Sequence, residues 1–207
     1  MTQSQIPFDL GYKTAFSRDD FFVSESNREA VAWIDKWPDW PAPALIIYGA
    51  KGAGKTHLTE AWRQKAGAAE IAVIDDIDTL IGNRAEEEKV FHLYNVLKEK
   101  GGHMLVTAST APAVWNFTLP DLKSRLMAAP AVSLGMPDDN LIAAVLTKLF
   151  SDRQIFVSQE VVQFIVPRIE RSLDAVGNIV DLIDRKALTE KRAVTVPLVR
   201  DILSSQG

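Results

Sequence analysis

Apolar and polar positions alternate along this chain in blocks that change period several times. Ser24 to Trp37 has helical spacing, with Ala30, Val31, Trp33, Ile34 and Trp37 mostly on one side and Ser26 or Asn27 available as a cap. Pro38, Pro41 and Pro43 close it. Ala44 to Tyr48 is a short continuous apolar run ending at a glycine, the pattern of a buried strand. A glycine-rich turn leads into a helix over Lys55–Ala66, and Ile71–Ile74 is a second buried strand ending in Asp75 and Asp76. Glu86 to Lys100 is helical and closed by Gly101 and Gly102. His103–Thr107 is a third strand, Leu119–Met127 a short helix and Ala131–Leu134 a fourth strand. Strand and helix in alternation predict a parallel sheet covered by helices on both faces.

After Pro137 the strand pattern stops. Asp138–Asp152, Ser158–Arg168, Ser172–Glu190 and Pro197–Leu203 all have helical spacing, with Ser158 and Thr195 as caps and Pro197 in a first turn. The expected organisation is therefore a polar arm over 1–20, an α/β domain over 21–136 and a small all-helical domain over 137–207.

Composition narrows the chemistry. The 207 residues contain no cysteine, which removes disulfides, thiol catalysis and cysteine-based zinc sites and suits a cytoplasmic protein. His57, His92 and His103 lack metal-ligand spacing. No apolar stretch approaches the roughly 20 residues that span a bilayer, and the first residues show no secretory signal, so no membrane association is expected. The formal charge is −4, and neither half is basic: 14 basic and 17 acidic residues precede Met136, against 9 and 10 from there on. That balance argues against binding DNA mainly through its phosphates. Arg185, Lys186, Lys191 and Arg192 cluster near one helix end and read as a solvated face.

The strongest chemical signal is Gly49-Ala50-Lys51-Gly52-Ala53-Gly54-Lys55-Thr56, a complete GxxxxGK[ST] phosphate loop between a buried strand and a helix. Its glycines let backbone N–H groups turn toward phosphate oxygens, and the following helix adds its positive end. Lys55 would reach the β- and γ-phosphates and Thr56 would hold Mg²⁺. Four apolar residues before Asp75-Asp76 have the Walker B form. Asp75 would then share the Mg²⁺ and Asp76 would orient an attacking water, although a strand ending in two solvated aspartates has the same pattern. Leu105-Val106-Thr107-Ala108-Ser109 ends a strand in small polar residues, either a plain strand end or a tip facing the γ-phosphate.

These motifs resemble the AAA+ ATPases of the DnaA group from Phe21 to Leu203. Val23-Ser24-Glu25-Ser26-Asn27-Arg28 is similar to that group's adenine-bordering loop. Gly54-Lys55-Thr56-His57-Leu58, Ile74-Asp75-Asp76-Ile77 and Phe91-His92-Leu93-Tyr94-Asn95 are similar to its nucleotide motifs and the helix after them. Within the group, residues 116–126, Leu182-Ile183-Asp184-Arg185-Lys186-Ala187 and Val194-Thr195-Val196-Pro197 look most like the Hda-type regulators. The resemblance implies ATP or ADP with Mg²⁺, bound through Asn27, Gly49, Gly52, Ala53, Gly54, Lys55, Thr56 and His57. It makes Arg125 an arginine finger acting on DnaA-bound ATP. It also makes Gln5, Phe8 and Leu10 the anchors of a sliding-clamp peptide in Gln5-Ile6-Pro7-Phe8-Asp9-Leu10. A helical lid is implied, with self-association, and with no DNA-reading domain after it.

Three departures from the group stand out. Only 18 residues separate Thr56 from Asp75, so the usual second strand–helix unit of the sheet is expected to be missing. Ser109 stands where the initiator has aspartate. Asp174 aligns with a γ-phosphate-sensing arginine, with Arg171 three residues earlier as a partial substitute. Two readings are open. One is an adaptor that donates Arg125 in trans, favoured by the arm, the acidic charge and Asp174. The other is a self-sufficient ATPase of the DnaC helicase-loader type, kept open by Lys55, Thr56 and Asp76.

Overall fold

In a computed structural model of the chain, which describes residues 22–205, strands β1 (Ala44–Tyr48), β2 (Ile71–Ile74), β3 (His103–Ala108) and β4 (Ala131–Ser133) pair in the order β2-β3-β1-β4. Every pairing is parallel, with Tyr48 beside Ala108 and Ile74 beside Val106. All strands therefore end at one edge of the sheet, and the loops that leave them converge there. Only Gly67–Glu70 separates helix α2 (Lys55–Ala66) from β2. That is too short for a further strand and helix, as the motif spacing implied.

Both faces of the sheet are covered, because successive residues of a strand point to opposite sides. Ala44 and Ile46 of β1 with Met104, Val106 and Ala108 of β3 pack on one face against helices α3 (Arg84–Glu99) and α4 (Pro120–Met127). Leu45, Ile47 and Leu105 pack on the other against α1 (Arg28–Lys36) and α2, where Trp40 stacks on the fully buried Trp62 with centroids 5.4 Å apart. Helix α1 starts at Arg28, later than its pattern suggests. Asn27 occupies the N-cap position without capping the helix. Its Oδ1 accepts instead from the Ser24 N–H at 2.9 Å, and its Nδ2 donates to the Phe22 carbonyl at 3.0 Å.

Helices α5 (Asp139–Asp152), α6 (Gln159–Ile165), α7 (Leu173–Glu190) and α8 (Val196–Ser204) form the second domain. Ser158 and Thr195 stand at N-cap positions but make no side-chain capping bond, whereas Asp138 caps α5 and Ser172 caps α7. This domain has its own core, in which Ile142, Leu146, Phe150, Ile165, Val176, Ile183 and Leu198 close around one another. On the basic end of α7, Lys186 and Arg192 both pair with Glu190, at 3.2 and 2.9 Å, the behaviour of a solvated helix face.

Phe150 is fully buried at the centre of the helical domain. Truncation to alanine leaves a cavity as well as losing transfer energy, so Phe150→Ala is expected to cost about 3–5 kcal/mol. Urea unfolding followed by helix signal checks this; a loss below about 1 kcal/mol would be at odds with such a core.

Candidate functional site

The phosphate loop leaves β1 at Gly49, whose N–H donates to the Ala108 carbonyl of β3 at 3.1 Å. Gly52 and Gly54 adopt φ of +80° and +103°, a region that L side chains avoid. Space makes the same demand. A Cβ on Gly52 would come within 2.5 Å of the Ser172 Cβ, and one on Gly54 within 2.9 Å of the Leu173 side chain. Gly54 is the N-cap of α2, offers no capping side chain, and no acidic residue occupies the first turn. The first N–H groups of this helix are thus left for an anion. The Lys55 ammonium donates to the carbonyls of Gly49 at 2.7 Å and Ala50 at 3.2 Å, so it is held over the loop.

Thr107 organises the acidic strand end. Its hydroxyl donates to Asp75 Oδ1 at 3.0 Å and accepts from the Asp76 N–H at 3.0 Å. One β3 side chain therefore fixes both aspartates, and Asp76 turns out of the strand at φ +47°. The next turn is tied in by Asp78, whose Oδ2 accepts from the Ser109 N–H at 3.0 Å.

The helical domain closes the site. The Leu173 N–H donates to the Gly52 carbonyl at 3.0 Å, and Ser172, 5% exposed, caps α7 through the Ala175 N–H. A cleft of about 380 Å³ results, lined by Lys51, Gly52, Gly54, Lys55, Thr56, His57, Asp75, Asp76, Thr107, Ser109, Leu173 and Asp174. Asp174 sits in the first turn of α7, where the helix dipole favours a carboxylate. Burial pushes the His57 imidazole below its usual pKa, with the Asp174 charge opposing that shift.

Most of the expected nucleotide residues meet in this cleft. Gly49 and Ala53 support it from behind, with Ala53 3% exposed in the α1–α2 core. Asn27 is buried in the loop before α1 and does not line the cleft. That loop is joined to the interdomain segment where the Gly135 N–H donates to the Ser26 carbonyl at 3.0 Å. Arg171 does not line the cleft either; it pairs with Asp139 at 2.8 Å on the surface. Arg125 lies away from the cleft, on α4. Its guanidinium rests over the rings of Phe91 and Tyr94, 5.1 and 5.3 Å from their centroids, and among the described residues no carboxylate pairs with it. Gln5, Phe8 and Leu10 lie outside the described residues. Thr107 falls in the strand tip singled out from the sequence, but its bridging hydroxyl, like the lid contacts of Ser172 and Leu173, has no signal of its own.

Two family models match the chain: one described as the bacterial DnaA ATPase domain over residues 59–133, the other as the Hda lid domain over residues 138–203. A Haemophilus influenzae protein described as uncharacterized is 28% identical over 193 residues, covering 80% of this chain and 84% of that protein. Domain III of the Thermotoga maritima replication initiation protein DnaA superposes with a TM-score of 0.79 at 19% identity, covering 92% of this chain and 96% of that one. The AMPPCP-bound DnaA of Aquifex aeolicus superposes at 0.69 with 17% identity, covering 82% of this chain and 64% of that one. At these identities the superpositions establish the fold alone, a parallel α/β domain followed by a helical lid. Among the described residues no helix is long and apolar enough to cross a membrane.

His57 yields a pH prediction. Its pKa in the folded chain lies below the unfolded value, so the unfolded state takes up the proton first. Its contribution is fully present above about pH 6.5 and is lost as pH falls through the folded value. His103 acts in the same direction, lowered by burial with a hydrogen bond to the Pro38 backbone opposing the shift. Urea unfolding at pH 7.5 and 5.5 is expected to show lower stability at 5.5, with a smaller drop in His57→Gln. An equal drop in both proteins would contradict the assignment.

Proposed function

We propose that the chain is an Hda-type, DnaA-related AAA+ adaptor that promotes hydrolysis of ATP bound to DnaA, limiting replication initiation; the matches to the DnaA ATPase domain and to the Hda lid domain support this reading. The observation that carries the reading is Arg125: a guanidinium outside the chain's own cleft, supported by two rings and by no carboxylate among the described residues. On this reading such a group would serve a neighbour. It carries positive charge that no proton loss can remove, and it meets phosphate oxygens with a planar fork.

The chain's own cleft suits the phosphates of ATP or ADP. The left-handed glycines, the uncapped start of α2 and Lys55 would hold the phosphates. Thr56 and Asp75 would hold Mg²⁺, which neutralises phosphate charge when bound. Asp76 would orient a water, and Asn27 would keep the adenine-side loop in shape. Asp174 faces the same cleft with a negative charge, which disfavours the further charge of a γ-phosphate and makes slow intrinsic turnover the expectation. The bound nucleotide is then a structural element of the interface that presents Arg125.

The arm supplies location. Gln5, Phe8 and Leu10 would seat in pockets of the DNA polymerase sliding clamp while the rest of the peptide contributes little. The clamp, in the cytoplasm and on DNA, would deliver the chain, singly or self-associated, to DnaA without sequence-specific DNA binding of its own.

The test is hydrolysis of DnaA-bound ATP on clamp-loaded DNA. Arginine fingers in other systems contribute about 10³–10⁵ in rate, so Arg125→Ala is expected to lose most of the stimulation while keeping nucleotide and clamp. Replacing Gln5, Phe8 and Leu10 together by alanine should lose it through the clamp, and Lys55→Ala through the nucleotide. Stimulation by Arg125→Ala at the wild-type rate would overturn the reading. Turnover by the chain alone at about 1–100 s⁻¹ would favour the helicase-loader reading instead.

A further inference from the structure

One buried carboxylate binds the turn just before α3, and a stretch of chain 31 and 32 residues away, to the helix on which Arg125 rests. Glu87, in the first turns of α3, is 0% exposed. Its Oε1 accepts from the Gly82 N–H at 2.8 Å, both oxygens accept from the Thr118 N–H at 3.0 Å, and Oε2 accepts from the Leu119 N–H at 2.6 Å. Burial alone would raise the pKa of this carboxyl, but the backbone N–H bonds outweigh burial and hold it below the usual value, so it is ionised.

Two of the donors lead directly into α4. Thr118 and Leu119 are the last residues before that helix, whose first position is Pro120 and whose N-cap, Leu119, has no capping side chain. Glu87 therefore fixes the start of the Arg125 helix and adds negative charge at its positive end. Seven residues further along α3, the same stripe meets the other end of α4. Phe91 and Tyr94, at i+4 and i+7 from Glu87, carry the Arg125 guanidinium. The third donor, Gly82, ends the turn that begins at Asp76, where the Thr79 N–H donates to the Asp76 carbonyl at 2.9 Å.

We infer that Glu87 is a positioning residue for Arg125: it pins the entry of α4 so that the guanidinium is held on Phe91 and Tyr94 in the orientation offered to a partner. The consequence for hydrolysis rests on the adaptor reading above; the hold on Arg125 does not. A glutamine in this place would offer one acceptor oxygen where two are used, and turn its NH₂ toward backbone donors.

The experiment uses the full chain and Glu87→Gln, with two readouts. The first is the side-chain Nε–Hε resonance of Arg125, identified by its loss in Arg125→Ala and displaced in the wild type by the two rings. The second is stimulated hydrolysis of DnaA-bound ATP. Glu87→Gln is expected to return the resonance toward that of an exposed arginine and, because displacements near 1 Å can cost ~10² in rate, to cut the stimulated rate by about ten- to a hundredfold with nucleotide binding unchanged. An unmoved resonance overturns the inference whether or not stimulation falls. Should Glu87→Gln fail to fold, amide exchange in the wild type decides: Thr118 and Leu119 are expected to be protected like the amides of α3, and rapid exchange at both overturns the inference. If Arg125→Ala keeps full stimulation, the adaptor reading falls while the resonance still decides on Glu87.

Discussion

Parallel pairing of β3 between β1 and β2 determines where all the chemistry of this chain lies. It places the ends of three strands at one edge, so the phosphate loop after β1, the aspartates after β2 and the small residues after β3 share one cleft. Thr107 shows how directly the pairing acts. Its hydroxyl reaches both Asp75 and Asp76 because β2 and β3 are in register, and a shift by one residue would turn it to the other face.

The second domain completes that cleft by contact with backbone. Leu173 donates to Gly52, and the Ser172 and Leu173 side chains fill the space a Cβ on either loop glycine would need. The loop glycines thus serve two ends: a left-handed turn and room for the lid. The same lid helix brings Asp174 to the cleft. A site assembled this way is suited to holding phosphates and poorly suited to gaining a further negative charge. Arg125, by contrast, is kept apart on α4, over two aromatic rings. The phosphate cleft and the arginine proposed to serve a neighbour are separate structural problems here, and the role inferred for Glu87 belongs to the second.

Local elements were legible in the sequence where local patterns decide them. The limits of α2 and β2 follow from the loop glycines, the apolar run and its terminal aspartates, and the short passage between them shows that the sheet lacks a unit. The phosphate-loop half of the cleft was readable for the same reason. The remainder depends on groups far apart in the chain. Glu87 sits in an acidic run, Glu86-Glu87-Glu88. Its burial comes from N–H groups 31 and 32 residues away. Arg171, with the charge of the expected substitute, instead pairs on the surface with Asp139, distant in sequence. Asn27 has a good capping side chain, yet longer-range packing of the 22–27 loop turns it to its own neighbours.

The central claim is that the chain acts on nucleotide held by another protein, and the location of the hydrolysed phosphate tests it most directly. DnaA is loaded with γ-labelled ATP and freed of excess. It is then mixed with clamp-loaded DNA and with this chain carrying unlabelled ADP. The account predicts rapid release of labelled phosphate only when DnaA, clamp and chain are all present. Label lost from the complete mixture no faster than from DnaA alone would contradict it.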